Sequence, residues 1–421
     1  MYLSLYANSS GEIFEHPSLR LLGRSGNEWV IPENGEMMPL PRGASLVTIP
    51  QHFPVGLNVH EQATCLETSP LDSEQPVWAV AALLPQGFTR TLFPACVKNK
   101  DNGGLPLFAY TAVGFKEGRM YCAAVQSDAH RKWHPVHYNT DGLPARISRI
   151  ISKFPDNRII RQVARCSLEY GCFTAQNIFY QRWEGGIPTT NTCNAACIGC
   201  ISESRHGIAS PQNRLDYKPS VDEIVELGCA HLVKARDGII SFGQGCEGEP
   251  SLNARDLSVA IQEIRKQTDQ GTINMNTNAG YTHGIKLMCD AGLDAMRVTL
   301  FSCLEDNYRL YHCPSNYNLD DVKASIDYAK ERGVKVSLNL LIFPGFHDRE
   351  QEFEALLNFV KKHGVDMIQL RNLNIDPEIL MNTMGGNEPG IGIVNFIALL
   401  QETIPEVEIA SYTHPVQKQR T

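Results

Sequence analysis

Gly238-Ile-Ile-Ser-Phe242-Gly-Gln-Gly-Cys-Glu-Gly-Glu-Pro-Ser-Leu252 runs from a short apolar segment into a glycine-rich acidic loop, and an amphipathic stretch follows at 254–267. Strand, loop and helix make one β/α unit. The same rhythm recurs around it, with strands expected at 272–276, 295–300, 334–341, 367–370 and 407–411, and amphipathic stretches at 221–236, 283–291, 319–332, 350–363 and 391–403. Several of these stretches stop near Gly271, Gly292, Gly333 or Gly364, the residue type best suited to a left-handed helix stop. Such alternation implies a parallel sheet. With one more strand just before Cys193 there are six or seven units, which suits an open (β/α) barrel as well as a flat doubly wound sheet. In either, function sits at the carboxyl ends of the strands.

The opening string also satisfies Gly243-x-Gly245-x-x-Gly248, a dinucleotide fingerprint. That fingerprint expects a helix opening at its third glycine and an acidic residue ending the next strand. Here Glu249-Pro250 follows the third glycine and the next strand ends in Asn276-Thr277-Asn278, so nicotinamide or flavin binding is the weaker reading.

The first half has a different rhythm. Short β-rich runs occupy 43–50, 77–84 and 107–115, and the last turns through Lys116-Glu117-Gly118 into 119–126, a hairpin signal. From 144 to 171 isoleucines recur at helical spacing around Pro155, which predicts two connecting helices. The fold class is therefore α/β: a C-terminal partial (β/α)6-type barrel with parallel strands plus an N-terminal mainly-β domain. The expected divisions are 1–143, a helical connector at 144–182, the barrel at 183–413 and a frayed tail at 414–421.

Of the 421 residues 43% are hydrophobic and 20% charged, a globular composition. Thirty-eight basic against 46 acidic side chains give a formal charge of −8, which argues against a large non-specific nucleic-acid footprint. The longest apolar run, 77–84, falls well short of the roughly 20 residues that span a bilayer. The start lacks a basic segment followed by an apolar one. The expected setting is the cytoplasm, with no membrane partner. There, the 13 cysteines do not form a disulfide framework, and spacing must separate functional thiols from packed ones.

Spacing points to Thr190-Asn-Thr-Cys193-Asn-Ala-Ala-Cys197-Ile-Gly-Cys200, three thiols on a loop after the first barrel strand. Soft sulfur ligands select zinc or an iron–sulfur cluster. Zinc would need a fourth ligand, for which His206 is the near candidate. A [4Fe–4S] cube held by three cysteines leaves one iron open to a small molecule.

Cys-x3-Cys-x2-Cys in this position resembles the radical S-adenosylmethionine (radical SAM) enzymes. The resemblance implies a [4Fe–4S] cluster on Cys193, Cys197 and Cys200, and S-adenosyl-L-methionine chelated to the open iron. It also implies one-electron reductive cleavage to a 5′-deoxyadenosyl radical that abstracts hydrogen. Later segments follow in the family's order. Gly248-Glu249-Pro250 resembles its Gly-Gly-Glu-Pro segment, with Gly248 and Glu249 at the methionyl amine. Thr277-Asn278-Ala279-Gly280 resembles its Thr-Asn-Gly stretch. The fourth strand offers Arg297 to the cofactor's carboxylate and Ser302 to a ribose hydroxyl, and the fifth offers Asn339 to the ribose and Phe343 near adenine. The chain departs from the family at Gly199, where an aromatic residue often packs beside adenine; Ile198 or Phe343 would substitute.

The resemblance further implies a flavodoxin- or ferredoxin-like electron donor and an oxygen-sensitive enzyme whose N-terminal domain recognises or covers the substrate. RNA, a peptide and a small molecule all stay open as substrates. Arg371, Asn372 and Asn374, at the end of the sixth strand, are candidates to touch it. His130-Arg-Lys-Trp-His-Pro-Val-His137 reads as a solvated loop with its Trp tucked in, Cys246 as a packed residue. Cys65, Cys96, Cys122, Cys166 and Cys172 are the pool for any second metal site. The rival from another class is a non-enzymatic zinc or iron–sulfur protein built on the same three cysteines.

Overall fold

A computed structural model describes residues 1–99, 104–205, 207–386 and 388–417. Its second half is a seven-stranded sheet: β1 (Arg182–Gly186), β2 (Arg236–Phe242), β3 (Thr272–Thr277), β4 (Ala295–Leu300), β5 (Lys335–Ile342), β6 (Met367–Asn372) and β7 (Glu408–Ala410). The strands lie side by side in chain order, every neighbouring pair parallel. A doubly wound sheet reverses its strand order at a switch point; this one never does, so the architecture is the partial barrel.

The strands alternate by face. Ile273 and Met275 of β3 join the apolar core under the helices, whereas Asn274 and Asn276 face the other way. Register carries this polar face across the sheet, because directly paired residues share a side: Asn276 pairs with Arg297 and Arg297 with Ser337, then Thr299 with Asn339 and Asn339 with Gln369. The inner face is thus lined with amides, hydroxyls and guanidinium groups, and suits a polar ligand.

Capping fixes where the covering helices start. Ser220 and Glu223 form a reciprocal box ahead of Val221–Lys234, as do Asn318 and Asp321 ahead of Leu319–Glu331. Gly364, at φ 60°, closes Glu350–His363 as expected. Three eight-residue helices went unanticipated: Phe173–Tyr180 in the connector, Glu305–His312 after β4 and Pro377–Met384 after β6. Each is only about two turns long, too short for the amphipathic pattern to repeat.

The first half contains an eleven-stranded antiparallel sheet. Its hairpin pairs Val113–Lys116 with Arg119–Gln126 through Glu117 and Gly118, both at positive φ (50° and 77°), the two-residue turn that matches strand twist. Residues 107–112 do not continue the strand, contrary to the expected run from 107.

This sheet is stitched onto the carboxyl ends of β5, β6 and β7. Arg90, fully buried, donates to the Tyr110 carbonyl and to the Leu373 carbonyl, both at 3.0 Å, and lies 3.8 Å from the Phe93 ring centre. Asn372 accepts from the Arg90 N–H (2.8 Å) and donates to the Phe88 carbonyl (3.0 Å). Asp128 accepts from the Ser411 N–H and pairs with His414. With Val416 N–H bonded to Thr272, residues 414–417 are held in place, against the expected fraying; 418–421 lie outside the described residues. Among the described residues no helix is long and apolar enough to cross a membrane.

Candidate active site

A cavity of about 680 Å³ opens at the carboxyl ends of the parallel strands. Cys193, Cys197 and Cys200 line one side. Their loop is sewn down along both edges. On one, Gly248 N–H donates to the Thr190 carbonyl (2.8 Å) and Glu249 N–H to the Thr192 carbonyl (2.7 Å). On the other, Ala196 N–H donates to the His312 carbonyl and Ile198 N–H to the Tyr311 carbonyl, both at 3.0 Å. The first edge explains a glycine: a Cβ on Gly248 would sit 1.8 Å from the Thr192 oxygen.

Burial, with Glu249 close by, raises Cys193 to about 11, and burial with the charges that Cys193 and Cys200 would present raises Cys197 well above its ordinary value. Left alone these thiols hold their protons, and a strongly positive metal centre is what draws out the thiolates. Among the described residues no three His, Cys, Asp or Glu side chains gather round a single-ion position. All three thiols line the cavity, and a cube would take one thiolate on each of three iron corners. His206, the suggested fourth zinc ligand, lies outside the described residues.

The glycine-rich loop forms the next wall. Glu247, 2% exposed, accepts from Gly243 N–H, Gln244 N–H, Thr189 N–H and the Thr189 hydroxyl, so it braces the loop from behind. Burial pushes its pKa up to about 7 against those four donors. Glu249 accepts from Ser251 N–H (3.0 Å), Asn278 N–H (2.7 Å) and the Thr277 hydroxyl. Asn278 reaches Asn194 of the cysteine loop at 2.7 Å. The segments expected to act together therefore meet around one space.

Arg297 and Asn339 also line that space. Arg297 donates to Thr413 (2.9 Å) and Gln369 (3.3 Å) and stands 3.9 Å from Glu184, but its Nε is buried without a partner among the described residues. Asn339 donates to the Thr299 hydroxyl at 3.2 Å. Gln244 Nε2 and Arg214 Nε, from other cavity-lining residues, are likewise buried and unpartnered. A cavity with stranded donors and a thiol wall fits a cluster plus a polar cofactor.

Two expected contacts are placed elsewhere. Ser302 is 1% exposed and donates to the Glu352 carboxylate, which turns it away from any ribose. Phe343 is fully buried, its ring centre 4.5 Å from that of Phe93, so it packs between the two halves of the molecule. Ile198 shares that apolar cluster. The aromatic group beside Gly199 at the cavity wall is instead Tyr311, whose hydroxyl lies 2.7 Å from where a Gly199 Cβ would be. Gly199 is small because Tyr311 fills that volume. Nothing near the cysteines in sequence announces a residue 112 positions after Gly199. Arg371, Asn372 and Asn374 all line the cavity, with the Asn372 amide already bonded to Phe88 and Arg90 in the stitch. The N-terminal half adds Gln86, Phe88 and Trp133 to the wall.

The pool for a second metal site splits. Cys166 lies against Cys246, with Cys172 close by, while Cys65 and Cys96 flank the His52–Leu57 strand. Cys246, 5% exposed, is packed in the core.

The model of the Radical SAM superfamily matches residues 187–360, from the end of β1 to the Glu350–His363 helix. Residues 187–360 therefore form a radical SAM domain. The chain thus carries a domain of the kind that takes a [4Fe–4S] cluster and S-adenosylmethionine as cofactors. It is 30% identical over 183 residues to the GTP 3′,8-cyclase of Aquifex aeolicus (strain VF5), covering 43% of this chain and 53% of that protein. It is 29% identical over 184 residues to the GTP 3′,8-cyclase of Staphylococcus aureus (strain JH9), covering 42% and 50%. The chain thus spans about half the length of the curated relatives it matches. Among solved structures, methylornithine synthase gives a TM-score of 0.38 at 13% identity, covering 56% of this chain and 68% of that one. Streptococcus suis SuiB with its precursor peptide SuiA gives 0.40 at 13%, covering 60% and 53%. Neither likeness adds to the family match.

Proposed function

We propose that the protein is an oxygen-sensitive radical SAM enzyme that acts on a small anionic molecule bound between the partial barrel and the N-terminal sheet. A cluster and S-adenosylmethionine bound there would supply one-electron reductive cleavage of the cofactor and, through it, hydrogen-atom abstraction from substrate. Cys193, Cys197 and Cys200 hold the cluster; Gly248, Glu249, Asn278, Arg297 and Asn339 hold the cofactor. The observation that carries this reading is that the cysteine loop, the Glu249 loop and the N-terminal segment at 84–88 line one cavity.

Its volume lies within the range of about 300–1,000 Å³ common for small-molecule pockets. Arg371 argues for the anion. Among the described residues its guanidinium has no ion pair, and the nearby acids are engaged: Glu184 by Ser241 and Arg297, Asp128 by Ser411 and His414. Burial and the neighbouring Arg297 pull the Arg371 pKa down to about 9, and the more weakly acting Glu184 and Asp128 offset this only in part. The N-terminal sheet excludes water and oxygen above it. The working divisions are 1–143, 144–182, 183–413 and 414–421, and the electron comes from a flavodoxin- or ferredoxin-like donor. The relatives' name makes GTP the first substrate to try. With each candidate deuterated, transfer of deuterium into 5′-deoxyadenosine identifies the substrate. No transfer from any phosphate- or carboxylate-bearing candidate, with transfer from an uncharged one, contradicts the anion reading.

A further inference from the structure

His312 closes the Glu305–His312 helix, fully buried, with its ring against Tyr308 at 4.4 Å between centres. Both ring nitrogens are engaged. The Phe301 backbone N–H donates to Nε2 at 3.1 Å, and Nδ1 stands 3.4 Å from the Cys197 sulfur. A backbone N–H can only donate, so Nε2 presents its lone pair and the ring proton of the neutral imidazole sits on Nδ1. That proton points at Cys197. Of the three thiols, Cys200 has a comparable neighbour in Arg214 Nη2, at the longer distance of 3.9 Å, but that guanidinium is drawn off by Glu203 at 3.0 Å.

We propose that His312 is a positioning residue that sets the reduction potential of the cluster, by donating an Nδ1–H···S hydrogen bond to Cys197. The proposal rests on the cysteine loop holding a [4Fe–4S] cluster. A hydrogen bond to a ligating sulfur withdraws electron density from the thiolate and favours the reduced, more negative cluster. The same short segment also fixes the loop through the His312 carbonyl, so Cys197 and its donor move as one unit. His347 provides an internal control: it is equally buried, donates to the Phe301 carbonyl at 2.6 Å, accepts from Phe343 N–H at 3.0 Å, and makes no bond to a thiol.

The experiment is an anaerobic redox titration of the reconstituted full chain, followed by electron paramagnetic resonance. His312→Gln keeps an oxygen acceptor for the Phe301 N–H and removes the donor to sulfur. It is expected to lower the ratio of reduced to oxidised cluster at a fixed potential by roughly tenfold, equivalent to ~59 mV for a one-electron couple. His312→Asn, whose amide nitrogen falls near the Nδ1 position, restores most of that loss, and His347→Gln leaves the ratio unchanged. In wild type carrying 15N-histidine, pulsed resonance on the reduced cluster shows a nitrogen coupling that His312→Gln abolishes. Equal potentials in wild type and His312→Gln at full iron content overturn the proposal. So does a cluster lost from both His312 variants in a wild type that shows no nitrogen coupling. A wild type that assembles no cluster defeats the functional reading instead.

Discussion

Around the cysteine loop the polar backbone is spoken for: Gly248, Glu249, Ala196 and Ile198 all donate across to a neighbouring strand of chain, and Glu247 collects four donors behind them. Across the cavity, on β4, β6 and the N-terminal segment facing them, Arg297 Nε and Gln86 Oε1 are buried with no partner and Arg371 makes no ion pair among the described residues. The contrast separates two jobs. Hydrogen bonds completed within the protein keep a metal-binding loop in shape before the metal arrives, whereas a stranded polar group is costly unless a ligand completes it. The first region is a rigid cradle, the second a receptor.

The largest effect lies at the cradle. Cys197→Ala is expected to abolish the iron–sulfur absorbance and all 5′-deoxyadenosine formation while leaving the fold intact, as read by iron analysis, product assay and circular dichroism. Second comes the seam that holds the receptor together. Arg90→Met leaves the Tyr110 and Leu373 carbonyls without their buried donor, at an expected cost of about 2–4 kcal/mol. Thermal unfolding checks this, and an unchanged midpoint would mean that the seam carries no load. Third is the receptor itself. Arg371→Met should raise the substrate's KM by roughly 10–100-fold, since a charge-assisted hydrogen bond is worth about 1.5–3 kcal/mol, with substrate-free cofactor cleavage unchanged. A fall in that cleavage would move Arg371 to the cofactor.

How much of this was legible follows the same division. The cradle announced itself because its chemistry is local: Cys193, Cys197 and Cys200 sit on one loop, and Glu249 and Asn278 each follow a strand readable from its apolar run. The partial barrel was legible for the same reason, its β/α period repeating at short range, although only strand order excluded the doubly wound sheet. Tyr311 and His312 escaped because an eight-residue helix carries too little pattern, and because what they do depends on Gly199 and Cys197, more than a hundred residues earlier. Ser302 and Phe343 were assigned by position along their strands, but Glu352 and Phe93, both from distant segments, turned them to other uses. The seam was invisible for a similar reason: Arg90 meets Leu373 only through tertiary contact.

The smallest effect lies far from either region and tests whether the barrel's scaffold behaves as its hydrogen bonds suggest. Arg158, with help from the Ser220 N–H, holds the Glu223 carboxyl down to about 2 from an ordinary 4.5. A depressed carboxylate contributes stability that is present above its unfolded pKa and disappears as pH falls through the folded value, so the contribution fades between about 4.5 and about 2. Because Arg158 is half exposed, solvent screening limits it to about 1 kcal/mol. Arg158→Ala should therefore lower stability at neutral pH by that amount and show a shallower acid limb in pH-dependent denaturation.

The most direct trial of the central claim is to purify the full chain without oxygen, add dithionite and S-adenosylmethionine, and measure iron, sulfide and 5′-deoxyadenosine together. The account predicts iron and sulfide in equal amounts and 5′-deoxyadenosine that vanishes in Cys197→Ala. Zinc without iron, or a full cluster that yields no 5′-deoxyadenosine, would contradict it.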